Sequence, residues 1–182
     1  MYELLPNLPV PQNDGAANHL EGARIPAIEL TTSSGRRCVL SEEFRSPTVL
    51  FIFPRAGTPL EPNPNQELWD QIPGARGCTP QSCGFRDLSG DFEKIGFKVF
   101  GLSVQRPEIL KEIAERNHLP FELVSDENHL LLNSMKLPEF TFAGERLIKR
   151  MAWVIRDAKI QRVYYPIFPS DKNAETVLRD LK

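Results

Sequence analysis

Thr48-Val49-Leu50-Phe51-Ile52-Phe53, TVLFIF, is a short run of β-branched and aromatic residues with no polar alternation. That pattern belongs to a strand buried on both faces, and such strands lie in the middle of helix-covered sheets. Downstream, FKVFGLS (97–103) repeats the pattern and reads as a second buried strand. Upstream, IPAIEL and RRCVL flank TTSSG and read as a β-hairpin. Near the C-terminus, MAWVI and IQRVYY flank RDAK and read as another hairpin.

Helical periodicity fills the spaces between these strands. RPEILKEIAERNHL places Ile109, Leu110, Ile113 and Ala114 on one face. NHLLLNSMKL reads as a shorter helix, and SDKNAETVLRDLK closes the chain with Ala174, Val177, Leu178 and Leu181 inward. A helix is expected from Thr79 to about Ile95, capped by Thr79 with Pro80 as its first residue. FELV (121–124) is a short strand. The segment from Pro54 to Gly77 holds five prolines and reads as a long loop with one helical turn at 67–71. Residues 1–24, with Pro6, Pro9 and Pro11, read as an extended arm over the surface, and residues 25–182 as a single domain. Strands alternating with helices, and a closing hairpin, give an α/β fold with a mixed sheet flanked by helices on both faces.

The composition narrows the function. The 182 residues carry a net charge of −2, which argues against a nucleic-acid or anionic-membrane partner. TVLFIF is far shorter than the roughly 20 apolar residues that span a bilayer. MYELLPNLPVPQNDG has no basic segment followed by an apolar one, so no signal peptide is expected. Three cysteines in a chain of this length do not make a disulfide scaffold, and the expected compartment is a reducing cytoplasm.

Cys78 and Cys83 stand five apart in GCTPQSCGFRD. Cys78 lies at the mouth of the expected helix, where unpaired N–H groups favour negative charge. Arg76, two residues upstream, is a cation that would also favour the thiolate, which is the reactive form of cysteine. Cys78 is therefore placed to be a nucleophile. On an intact helix an i, i+5 pair is separated by a rise of ~7.5 Å and points ~140° apart, whereas disulfide Cα separations are ~4.4–6.8 Å. A bond between the two needs the helix to unwind locally. Two other readings stand beside this one. Cys83 could be a buried inert thiol. A zinc site would need two more ligands, and Cys38, His19, His118 and His129 offer no second close pair. Cys38, mid-strand in RRCVL, reads as core.

VLFIFPRAGTP followed by GCTPQSCGFRD resembles the peroxiredoxins, most closely the peroxiredoxin Q or bacterioferritin comigratory protein group. The likeness continues through KVFGLS, LPFELVSD and RMAWVIRDAKI, from about Ile25 to the C-terminus. It implies a thioredoxin-like fold and reduction of hydrogen peroxide or organic hydroperoxides, with no cofactor and no metal. It implies Cys78 as the peroxidatic cysteine and Cys83 as the resolving one, joined in an intramolecular disulfide. Thioredoxin or a similar dithiol would restore the pair, in a monomer or a homodimer. In IKRMAWVI the matching arginine is Arg150, whose guanidinium would hold the thiolate and bind a peroxide oxygen. Arg146 and Lys149 are rivals on spacing alone, and Arg86 is a weaker candidate.

The pattern departs in one place. The family's threonine stands three residues before the cysteine, and Ala75 occupies that position. Pro54-Arg55-Ala56-Gly57-Thr58 supplies the Pro-x-x-x-Thr element upstream, so residues 60–76 read as an insertion that splits the motif. Pro54 and Thr58 are still expected at the active site. Each doubling of loop length costs only ~0.6 kcal/mol, so such an insertion is tolerable. Trp69, within it, is expected to pack on the domain. Two further functions compete with a peroxidase: a thioredoxin-like disulfide exchanger or redox sensor, and a non-catalytic binding scaffold.

Overall fold

The computed structural model describes residues 7–182, and the expectation for Pro6 falls outside them. In chain order the elements are β1 (Glu29–Thr32), β2 (Arg37–Val39), α1 (Leu40–Glu43), β3 (Thr48–Ile52), α2 (Gln66–Asp70), α3 (Cys78–Asp87), α4 (Ser89–Lys94), β4 (Lys98–Ser103), α5 (Pro107–Arg116), β5 (Leu123–Ser125), α6 (Leu130–Met135), β6 (Glu139–Phe142), β7 (Glu145–Ile148), β8 (Met151–Arg156), β9 (Lys159–Tyr164) and, after a 3-10 turn at Ser170–Lys172, α7 (Asn173–Leu181).

Seven strands form one mixed sheet in the order β2-β1-β5-β4-β3-β8-β9. β3 is near its centre, parallel to β4 and antiparallel to β8, with every residue buried. Side chains alternate between faces along a strand, so the sheet feeds two cores. Leu50, Ile52, Phe100, Leu102, Trp153 and Ile155 face α1, α6 and the N-terminal segment. Val49, Phe51, Val99, Ala152 and Val154 face α3, α4, α5 and α7. The Phe51 ring stacks on Phe85 of α3 with centroids 4.5 Å apart and planes 8° apart, which seats that helix on the sheet. Gly101 of β4 makes the room: a Cβ there would lie 2.7 Å from Phe51 Cζ and 2.5 Å from Leu123 Cδ2. The fold is thioredoxin-like, as the likeness implied.

Four local readings change. The helix expected over Thr79–Ile95 is two helices, broken at Leu88 (φ −104°, ψ 5°). Ser89 Oγ donates to the Arg86 carbonyl at 2.8 Å, and Ser and Gly at 89–90 are weak helix formers. The first helix also starts one residue early. Gly77, at φ 107°, is its cap, and the Gly77 carbonyl accepts from Gln81 N at 3.0 Å. Thr79 and Pro80 are thus helical from the first turn. The N-terminal segment does more than cross the surface: Ala17 and Leu20 are buried in the core. Gly22 and Ile25 donate backbone hydrogen bonds to Ile160 and Ala158, both at 2.8 Å. Finally, β6 and β7 form a separate two-stranded hairpin turned at Ala143 and Gly144, both at positive φ.

Candidate active site

Cys78 is the first residue of α3, so its side chain leaves the backbone where the helix's first N–H groups lack intrahelical partners. Only glycine adopts Gly77's conformation without strain, which allows the chain to turn sharply into this helix. The sulfur is nearly buried and has two polar neighbours. Its S–H faces the Ala75 carbonyl at 3.6 Å, and Arg150 Nη2 donates to Sγ at 3.2 Å.

Arg150 is 4% exposed and is held on every side. It precedes β8, whose pairing with β3 brings it across the sheet to the end of the strand that leads into the loop. Nε donates to the Gly74 carbonyl at 3.2 Å, and Nη2 to the carbonyls of Ala75 (2.9 Å) and Arg76 (3.2 Å). Nη1 donates to Gln81 Oε1. The fork therefore fixes the turn that precedes α3 and the sulfur at its start. Its sequence rivals are spent elsewhere: Arg146 on Glu139 at 2.7 Å, and Lys149 on Asp14 at 2.7 Å. Arg86 donates to Asp87 and to the Asn117 carbonyl.

A cavity of about 250 Å³ opens over Cys78. Arg55, Ala56 and Gly57 line one side, following β3, and Arg116 of α5 lies beside them. Asn63, Gln66, Trp69 and Arg76 of the 60–76 segment line the other. Trp69 packs on the β6–β7 hairpin, with Phe142 edge-on at 5.0 Å and Phe140 at 6.0 Å. The segment thus forms a wall of the site as well as packing on the domain. Arg76 does not act as a free cation: both oxygens of Asp70 accept from its Nη1, at 2.7 and 2.6 Å. Asp70 ends α2, so the same segment supplies this arginine and the carboxylate that neutralises it.

Pro54 and Thr58 bracket the lining residues Arg55, Ala56 and Gly57 in the chain. Thr58 is not among the residues lining the cavity, and its hydroxyl donates to Glu112 Oε2 on α5. Burial alone would raise the Glu112 pKa, but hydrogen bonds from Arg116 and Thr58 outweigh it and hold the carboxyl below its usual range. Pro54 is buried behind the lining, and its carbonyl accepts from Ser103 Oγ at 3.2 Å. Two residues missed in the sequence matter here. Gln81 is fully buried between Arg150 and α7, and Arg55 is buried beside the cavity with Glu145 at 2.7 Å. Both lie inside the quoted motifs, at positions whose residue type the motifs leave open. A polar residue inside a helix and an arginine in a loop look like solvated side chains.

Cys83 sits one and a half turns along α3, buried, with Sγ 4.0 Å from Asn117 Oδ1. Burial pushes its thiol pKa up, and Arg86 offsets this only in part. All three cysteines are free. Cys38 is buried in β2 and pushed up to about 11, chiefly by burial. Among the described residues no cluster of His, Cys, Asp or Glu could hold a metal ion, and no helix is long and apolar enough to cross a membrane.

The Redoxin family model matches residues 20–178. Peroxiredoxin Bcp of Escherichia coli (strain K12) is 30% identical over 161 residues, covering 86% of this chain and 92% of the relative. Chloroplastic peroxiredoxin Q of Sedum lineare is 29% identical over 178 residues, covering 97% of this chain and 86% of the relative. Among solved structures, the peroxidoxin BcpB of Mycobacterium tuberculosis superposes with a TM-score of 0.70 at 26% identity, covering 88% of this chain and 95% of the other.

Proposed function

The chain belongs to the redoxin family, to its peroxiredoxins of the Q and Bcp group, and on that premise we propose that Cys78 attacks a hydroperoxide and Cys83 resolves the product. The supporting observation is the 3.2 Å contact from Arg150 Nη2 to Cys78 Sγ at the floor of a cavity. A guanidinium there donates where negative charge develops in the transition state.

The thiolate sulfur attacks one peroxide oxygen. The S–O bond forms and the O–O bond breaks. The sulfur loses two electrons, and the departing oxygen takes up the proton that the Cys78 thiol gave to solvent and leaves as water or an alcohol. Cys78 is then a sulfenic acid. The Cys83 sulfur next attacks the Cys78 sulfur. The S–S bond forms, the S–O bond breaks, and the hydroxyl leaves with the Cys83 proton as water. A dithiol reductant of the thioredoxin type returns two electrons and two protons to regenerate both thiols. The cycle needs no bound cofactor or metal, works within one chain, and suits a reducing compartment such as the cytoplasm.

The second step needs movement. Both cysteines lie in one unbroken helix, where their rise of ~7.5 Å exceeds the usual Cα separation of a disulfide. At least the first turn of α3 unwinds before the bond closes.

Stopped-flow mixing of the reduced protein with hydrogen peroxide tests the assignment. The expected result is rapid consumption of one equivalent, abolished by Cys78→Ser. In Cys83→Ser the first step persists and a sulfenic acid accumulates, trapped by a dimedone-type reagent. Wild-type protein that leaves peroxide unconsumed would support the disulfide-exchanger or scaffold readings instead.

A further inference from the structure

Gln81 and Asn173 form a tether that the two-cysteine cycle does not itself explain. Gln81 lies between Cys78 and Cys83 on α3 and is fully buried. Its Oε1 accepts from Arg150 Nη1, and its Nε2 donates to Asn173 Oδ1 at 2.9 Å. Asn173 is the first residue of α7 and is itself buried. Its helix is anchored in the core by Ala174, Val177 and Leu178. Beside it, α3 approaches closely enough that a Cβ on Gly84 would lie 3.3 Å from the Asp171 carbonyl. The turn of α3 that separates the two sulfurs is thus fastened at both ends of one side chain, to the arginine on the sulfur and to the C-terminal helix.

We propose that Asn173 is a positioning residue for the resolution step: through Gln81 it holds α3 wound and so sets how long the Cys78 sulfenic acid persists. The inference rests on the cycle proposed above. Unwinding α3 withdraws Gln81 from both partners and leaves the buried Asn173 carbonyl without its donor. While the helix stays wound, Cys83 cannot reach the sulfenic acid, which can instead meet a second hydroperoxide. In that reaction the sulfur attacks another O–O bond, loses two more electrons and becomes a sulfinic acid, releasing water or an alcohol. The tether therefore biases the partition between disulfide and sulfinic acid. It acts without touching the substrate or the sulfur.

The partition is read by titrating reduced protein with hydrogen peroxide in the presence of a recycling dithiol. Mass spectrometry then gives the peroxide concentration at which half of Cys78 is sulfinic. Asn173→Ala removes the acceptor and is expected to raise that concentration roughly three- to tenfold, the factor set by losing one buried hydrogen bond. Hydrogen exchange at the amides of residues 82–84 is expected to quicken by a similar factor. Asn173→Asp keeps an acceptor oxygen and suits a helix N-terminus. It should stay at the wild-type concentration and guards against an effect of folding alone. If both variants match wild type, or both shift together, the tether does not set the partition. If wild-type Cys78 forms sulfenic acid but no disulfide with Cys83, the underlying cycle has failed and the inference falls with it.

Discussion

Arg150→Lys keeps a positive charge near Cys78 and removes the fork that holds it. The guanidinium donates to Cys78 Sγ and Gln81 from different nitrogens, and to three successive backbone carbonyls at 2.9–3.2 Å. A lysine has one nitrogen on a flexible stem and cannot reach these groups together. Losing one preorganised donor to the developing charge costs about 10²–10³ in rate, or about 2.7–4 kcal/mol. The carbonyls of Gly74, Ala75 and Arg76 also lose charge-assisted bonds worth about 1.5–3 kcal/mol each. Because these act as a unit, a net stability loss of about 3 kcal/mol is expected, corresponding to a Tm about 6–12 °C lower for a chain of this size. The assay pairs the second-order rate constant of Cys78 oxidation, by stopped-flow fluorescence, with a thermal melt. Both should fall. A lowered Tm with a rate constant within about threefold of wild type would refute the reasoning, because the arginine would then only support the loop.

Three other expectations follow from the geometry. Thr58→Val removes a buried donor to Glu112 and should cost about 1.5–3 kcal/mol in a urea titration, while peroxide turnover changes little, since Thr58 does not line the cavity. Trp69→Ala should cost about 3 kcal/mol of stability and raise the rate with a bulky hydroperoxide relative to hydrogen peroxide, because that wall of the cavity recedes. Cys38 has its pKa pushed from 9.0 up to about 11 by burial, so the folded state keeps its proton longer than the unfolded chain. Its contribution is fully present below pH 9.0 and is lost as pH rises through about 11, about 2–3 kcal/mol in all. Cys83, Tyr164 and Tyr165 are also raised, so the comparison is between reduced wild type and Cys38→Val, whose stability should fall less steeply over that range.

The parts of the fold legible in the sequence are those set by local pattern. TVLFIF reads as a buried strand because nothing polar interrupts it, and the period of RPEILKEIAERNHL reproduces the buried face of α5. The break at Leu88 escapes because Ser89 and Gly90, though weak helix formers, do not by themselves end a helix, and the turn shows only in the Leu88 backbone and the Ser89 bond to Arg86. The β6–β7 hairpin escapes because its strands are four residues long and its turn, Ala143-Gly144, lacks the usual asparagine or aspartate. At the site, the two cysteines stand out by spacing, but Arg150 is separated from Arg146 and Lys149 only by family likeness. Pairings across long separations are not readable at all. Thr58, in the loop after β3, meets Glu112 of α5, and Gln81 meets Asn173 where α3 packs on α7. Arg76 reads as a cation beside Cys78 until the path of the inserted segment brings Asp70 against it.

Peptide mapping after one equivalent of peroxide tests most directly whether α3 carries a nucleophile and its resolving partner in one unwinding helix. Reduced protein is oxidised at low concentration without added thiol, alkylated, digested without reduction, and read by mass spectrometry. The expected species is a single intrachain bond between Cys78 and Cys83, with Cys38 alkylated. A bond from Cys78 to Cys38 or to a second chain, or an alkylated Cys78, would contradict it.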